Sequence, residues 1–157
     1  MNDDSKALRQ SLFEGGQDIR DRTFAFACRV VRFCEKVYSG GGVGRIMVSQ
    51  LVDSATSSAT MLEEARAAES KRDFISKSSV ALKESRESWT RLRVYEACRI
   101  GPETEARDLV REGNELVAII TAIIRNTRRN AAKNNGNGPA KNRNRAKREY
   151  EFQIPNS

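Results

Sequence analysis

The segment DIRDRTFAFACRVVRFCEKVY, residues 18–38, decides the fold. Phe26, Val30, Phe33 and Val37 recur in it at i, i+4, i+7 and i+11, one stripe along a helix, and Ala27, Val31 and Cys34 widen that stripe. Ser39-Gly40-Gly41-Gly42-Val43-Gly44 then breaks the helix. A second helix is expected over Arg45–Ala68, with Val48, Leu51, Ala55, Leu62 and Ala65 facing inward. Its centre, Ser54-Ala55-Thr56-Ser57-Ser58-Ala59-Thr60, is a run of small residues. The flanking periodicity continues through it, so it reads as the close approach of another helix rather than a phosphate-contacting loop. Ser70 followed by Asp73 is a capping signature. It opens a third helix from Lys71 to about Ile100, with Phe74, Ala81, Trp89, Leu92 and Cys98 inward, ended by Gly101-Pro102. The fourth helix begins near Glu103, where Glu103, Glu105 and Asp108 suit the positive end of a helix. Leu109, Leu116, Ile120 and Ile123, flanked by Val110, Val117 and Ile124, form its apolar face. No stretch keeps a period of two between turn signals. The fold class is all-α, an antiparallel up-down four-helix bundle.

Composition narrows the function. A length of 157 residues suits one domain. The chain has 28 Lys and Arg against 21 Asp and Glu, a net charge of +7, and only 38% hydrophobic residues, as for a folded core with a polar appendage. It contains no histidine, which removes imidazole acid–base catalysis, Ser-His-Asp triads and histidine metal sites. Cys28, Cys34 and Cys98 lack zinc-ligand spacing, and an odd count without a disulfide framework fits a reducing compartment. Met1-Asn2-Asp3-Asp4 leads into no apolar signal region, and the run Val117-Ala118-Ile119-Ile120 is far too short to span a membrane. Gly40-Gly41-Gly42-Val43-Gly44 lacks the Lys-Ser/Thr ending of a phosphate loop and reads as a turn. The expectation is a soluble cytoplasmic protein that is not an enzyme, with no cofactor, no metal and no membrane contact.

The charge is not evenly spread. Residues 1–124 are balanced at 19 basic and 19 acidic side chains. The whole excess lies in Arg125, Arg128, Arg129, Lys133, Lys141, Arg143, Arg145, Lys147 and Arg148, set against Glu149 and Glu151. From Asn130 to Arg148 no apolar residue exceeds alanine, so burial cannot offset the entropy of folding. Three divisions result: a flexible N-terminus over 1–17, the bundle over 18–128, and a disordered basic Asn/Arg-rich tail over 129–157. The last apolar group, Tyr150-Glu151-Phe152-Gln153-Ile154-Pro155, reads either as a short extended docking peptide or as a loose chain end.

The tail is the sharpest candidate site. Lys and Arg neutralise phosphates and release counterions, and Asn adds hydrogen bonds to phosphates or base edges. On the first helix Arg22, Arg29, Arg32 and Lys36 share one face. They either track a phosphate backbone or form a solvated face paired with acids of a neighbouring helix or protomer. Glu64, Lys77, Glu84 and Glu87 are expected to form a structural polar network, since a bundle metal site would need Glu-x-x-His motifs. Trp89 and Tyr95 are base-stacking candidates, with packing the plainer reading.

Several stretches together resemble a known family. They are Gln50-Leu51-Val52-Asp53-Ser54-Ala55-Thr56-Ser57, Glu63-Glu64-Ala65, Ser70 to Lys77, Ala81 to Ser88, and Glu115-Leu116 through Ile123-Ile124. In order and spacing they resemble bacterial four-helix-bundle proteins first noticed as reading frames within intervening sequences of large-subunit ribosomal RNA genes. The resemblance covers about residues 20–128. It implies a four-helix protomer, a homopentameric ring and a role in binding nucleic acid. The accessory variability protein of diversity-generating retroelements is similar in architecture, which implies a reverse transcriptase and its template RNA as partners. The chain departs from the pattern in its longer small-residue run, in Arg91, Arg93 and Tyr95 where the family has bulky aliphatics, and in the basic tail. The expected function is therefore a non-enzymatic oligomeric protein that binds RNA or DNA. The alternative is a protein–protein scaffold whose C-terminal tail docks on a partner.

Overall fold

Asp18 starts the bundle. Its carboxylate accepts the Arg20 backbone N–H at 3.0 Å, so the first helix, α1, begins at Ile19 and runs to Gly40. The computed structural model describes residues 13–14 and 17–136, with side chains over 18–132. Three further helices follow, α2 over Gly42–Arg66, α3 over Lys71–Ala97 and α4 over Glu103–Gly136. Ahead of them Phe13–Glu14 (β1) pairs antiparallel with Gln17–Asp18 (β2), a ribbon of two residues per strand.

The reversal between α1 and α2 is tighter than the glycine run suggests. Only Gly41 lies outside a helix. Gly41 and Gly42 adopt φ of 72° and 69°, a region that glycine enters without a Cβ penalty, and two such residues suffice to turn the chain. Gly44 has a packing role instead, because a Cβ there would lie 2.5 Å from Ile100 Cγ2 and 2.8 Å from Val37 Cγ1. Ser70 caps α3 as its spacing predicts. Its hydroxyl accepts the Asp73 N–H at 3.1 Å, and the Asp73 carboxylate accepts the Glu69 N–H at 3.3 Å. Helix α3 stops at Ala97, so Cys98 is exposed in the connection rather than inward. Gly101, at φ 83°, completes that turn.

The helices pack as an antiparallel bundle, α1 on α2, α2 on α3, α3 on α4 and α4 back on α1. Phe26, Val30, Phe33 and Val37 are all buried, as are Leu51, Leu62, Phe74, Leu92, Leu109, Leu116, Ile120 and Ile123. Val48 and Trp89 are only half-buried. Tyr95, which the sequence offers for stacking on bases, has no exposure at all. Its hydroxyl donates to the Gly44 carbonyl at 3.2 Å and its ring meets Phe33 edge-on, centroids 5.6 Å apart. Burial removes it from any nucleic-acid surface.

The small-residue run stays helical and does bring helices together. Ser54, Ala55 and Ser58 of α2 are buried, as are Ser78, Ala81, Ser85 and Ser88 of α3. The Ser58 hydroxyl lies 2.6 Å from that of Ser85 and donates to the Ala81 carbonyl at 3.2 Å. Such contacts require backbones close enough that no larger side chain fits between them.

Helix α4 runs further than composition predicts. The bundle was expected to end at residue 128, but α4 continues to Gly136. Extending a helix already anchored by packing costs little per residue, and Ala131, Ala132 and Lys133 are good helix formers. The rest of the expected tail, 137–157, lies outside the described residues, with Lys141, Arg143, Arg145, Lys147 and Arg148 in it.

Candidate nucleic-acid interface

Helix α4 changes character along its length. Its acids are Glu103, Glu105, Asp108, Glu112 and Glu115, and no further acid follows until Glu149. Arg125, Arg128 and Arg129 are all exposed and fall within an arc of about 100° at helical spacing. Among the described residues no carboxylate pairs with any of them. Lys133 is the next cation along the helix. Contact of Trp89 with Gly113, and of Glu96 with Arg107 at 4.0 Å, sets the register of α3 on α4. That register carries exposed Arg72, at the start of α3, to the same end of the bundle.

The face on α1 is largely spoken for. Arg22 Nε donates to Glu112 Oε1 at 2.6 Å and Nη2 to Glu112 Oε2 at 2.9 Å, with Glu115 as a further partner. The Glu112 hydrogen bonds hold the Arg22 guanidinium above its ordinary pKa against the opposing effect of burial. Lys36 Nζ donates to Glu105 at 2.6 Å. Arg29 is half-buried and Arg32 exposed, and neither has an ion-pair partner among the described residues. Two of the four cations are therefore neutralised by the acidic half of α4.

Glu64, Lys77, Glu84 and Glu87 are not gathered into one cluster. Lys77 pairs with Asp73 at 2.8 Å, and Glu87 with Arg91 at 2.7 Å. Arg91 also donates to Gln50 of α2 at 2.6 Å. The Asp73 hydrogen bond raises the Lys77 pKa, and the Glu64 charge adds to that effect. Glu84 is half-buried with no such contact. The structure adds a set that spacing does not reveal, in which Arg20 joins Asp18 to Glu63 of α2. Burial pushes the Asp18 carboxyl up, but hydrogen bonds from Arg20 and the charges of Arg20 and Arg66 outweigh it and hold the pKa below the ordinary carboxylate value. Nothing in the spacing marks this set, since Glu63 is 43 residues from Arg20. Arg93 covers the Trp89 ring at 4.9 Å, which occupies the face that a base would need. Among the described residues no three Cys, Asp or Glu side chains gather closely enough to hold a metal ion, and no helix is long and apolar enough to cross a membrane.

A groove of about 620 Å³ also opens between α1 and α2, lined by Phe24, Ala27, Cys28, Val31, Ala59 and Thr60 with Arg32, Glu35 and Glu63 at its edges. Phe24 is 65% exposed at its lip.

No family model and no curated protein matches the chain. A solved structure does. It is a protein of unknown function from the S23 ribosomal protein family of Bacteroides thetaiotaomicron, 26% identical, with a TM-score of 0.61. The match takes in 68% of this chain and 97% of that one. The four-helix fold is thus shared with a bacterial protein, while nearly a third of this chain lies beyond the likeness.

Proposed function

We propose that the chain is a non-enzymatic, oligomeric nucleic-acid-binding protein whose ligand is RNA. One observation carries this reading. The acidic half of α4 occupies Arg22 and Lys36, whereas Arg125, Arg128 and Arg129 in its far half face solvent with no carboxylate paired to them among the described residues. Unpaired cations in a row at helical spacing offer phosphates a partner with no internal competitor. The cations from Lys133 to Arg148 continue the same charge along the chain. Exposed Val43 and Ile46 at the start of α2, and Val80 and Val94 on α3, offer apolar contacts to further copies. A pentameric ring, as the family resemblance implies, would multiply the basic ends and with them the avidity. The narrower form, an accessory of a reverse transcriptase in a diversity-generating retroelement, rests on that resemblance alone.

The test is RNA and single-stranded DNA binding across a salt series. It compares the full chain, a chain ending at Gly136, and the Arg125→Gln/Arg128→Gln/Arg129→Gln variant. Stepwise flattening of the salt slope in the two altered proteins supports the proposal. Unchanged slopes in both would move the contact to Arg29 and Arg32. No binding by the intact oligomer at low salt would overturn the reading in favour of the protein scaffold.

A further inference from the structure

Beyond Ile124 the chain has only three apolar residues larger than proline, Tyr150, Phe152 and Ile154, at alternate positions. In an extended segment alternate side chains share one side, and these three span about 13 Å. The α1–α2 groove runs from Phe24 to Glu35, about 16 Å of helix. We propose that Tyr150–Pro155 seats in the α1–α2 groove of its own bundle, with Tyr150 at the Phe24–Glu63 end and Ile154 toward Glu35. This goes beyond nucleic-acid binding and does not depend on it.

Three observations select this occupant. The first is reach. Arg20 contacts Glu63, so the groove's Phe24–Glu63 end lies where α1 starts and α2 finishes; in an antiparallel bundle α4 finishes at that end too. The fourteen residues from Gly136 to Tyr150 extend up to about 46 Å, ample to round the end of the bundle. The second is charge. Lys147 and Arg148 stand just ahead of Glu149 and Tyr150, and entry at that end brings the two cations toward exposed Glu63 and Glu64. Glu149 and Glu151 alternate with Tyr150 and Phe152 in the sequence, so in an extended segment they take the opposite, water-facing side. The third is the lip itself: Phe24 is a large aromatic left 65% exposed, and an apolar segment laid beside it removes that surface from water.

Cys28 lines the groove, Cys98 is exposed and Cys34 is buried, so the chain carries its own reporters. The rate of N-ethylmaleimide addition to each thiol is read by peptide mass spectrometry, in the full chain and in the full-length Tyr150→Ser/Phe152→Ser/Ile154→Ser variant. Cys28 is expected to react several-fold faster in the variant while Cys98 keeps its rate. Equal Cys28 rates in the two proteins would overturn the proposal. So would protection of Cys28 that disappears on dilution, which would assign the groove to a second copy. In a Cys98→Ser background, Phe152→Cys is expected to form an intrachain disulfide with Cys28 under mild oxidation, and Gln153→Cys is not. Equal yields from the two positions, or a bond formed only between chains, would overturn it independently.

Discussion

The two halves of α4 share one buried stripe but use their charges in opposite ways. From Glu103 to Glu115 the acids are engaged: Glu105 with Lys36, Glu112 and Glu115 with Arg22, Glu103 with Arg107 and Asp108 with Arg111. From Leu116 to Gly136 there is no acid, and among the described residues Arg125, Arg128 and Arg129 have no ion-pair partner. Leu109 in the first half and Ile123 in the second are both buried, so packing does not explain the contrast. Charge spent on a neighbouring helix fixes the bundle, and charge left without a partner is available to a ligand.

The comparison can be broken most forcefully at the stripe. Leu109→Ala and Ile123→Ala are each expected to cost about 2–5 kcal/mol in denaturant unfolding. A near-neutral Ile123→Ala would mean that the far half of α4 is not part of the core. Next in size is the triple Arg125, Arg128 and Arg129 substitution to Gln. Three lost phosphate contacts lower the logarithmic salt slope by about 2, and the affinity at 0.1 M salt by up to about a hundredfold. Its unfolding free energy should stay within about 0.5 kcal/mol of the parent. Arg22→Gln reverses that pattern. It removes the donors of half-buried Glu112 and is expected to cost about 1–2 kcal/mol of stability, with RNA affinity unchanged. Lys36→Gln, at a more exposed pair, should cost less than about 1 kcal/mol.

The smallest effect concerns pH. Asp18 has a folded-state pKa below its unfolded value. Its contribution is complete above the unfolded carboxylate range and is lost as pH falls through the folded pKa. Asp18→Asn keeps an N-cap side chain and should flatten the acid limb of the stability curve without altering its neutral-pH shape. A variant whose stability falls with acid as steeply as the parent would show that Asp18 has no part in that limb.

Helix number, order and most inward positions were legible in the sequence because α1 and α4 carry unbroken stripes at helical spacing. The serines of α2 and α3 were harder. Ser54 and Ser58 were visible as small, but nothing in an isolated segment marks Ser78, Ser85 or Ser88 as interior, since they are buried for their size and not for their hydrophobicity. Tyr95 follows the plainer of its two readings, packing, but its partner was hidden, because its hydroxyl finds the Gly44 carbonyl 51 residues away. At the candidate site, the excess of charge in the last part of the chain was plain. Which cations are neutralised was not: Arg22 and Glu112 are 90 residues apart, and their meeting depends on how α1 lies on α4. Composition also ended the fourth helix too early, because it weighs residues singly and misses the low cost of extending an anchored helix.

The serine seam between α2 and α3 has a thermal consequence. Serine and alanine have little rotamer freedom to surrender, so closing this seam freezes few side-chain torsions. Bulkier interfaces lose more of that freedom, and the entropic pressure to reopen them grows faster with temperature. That stretch of the α2–α3 hairpin thus loses less side-chain freedom on closing than a stretch lined by long side chains would, and its association weakens less from that source as the protein is warmed.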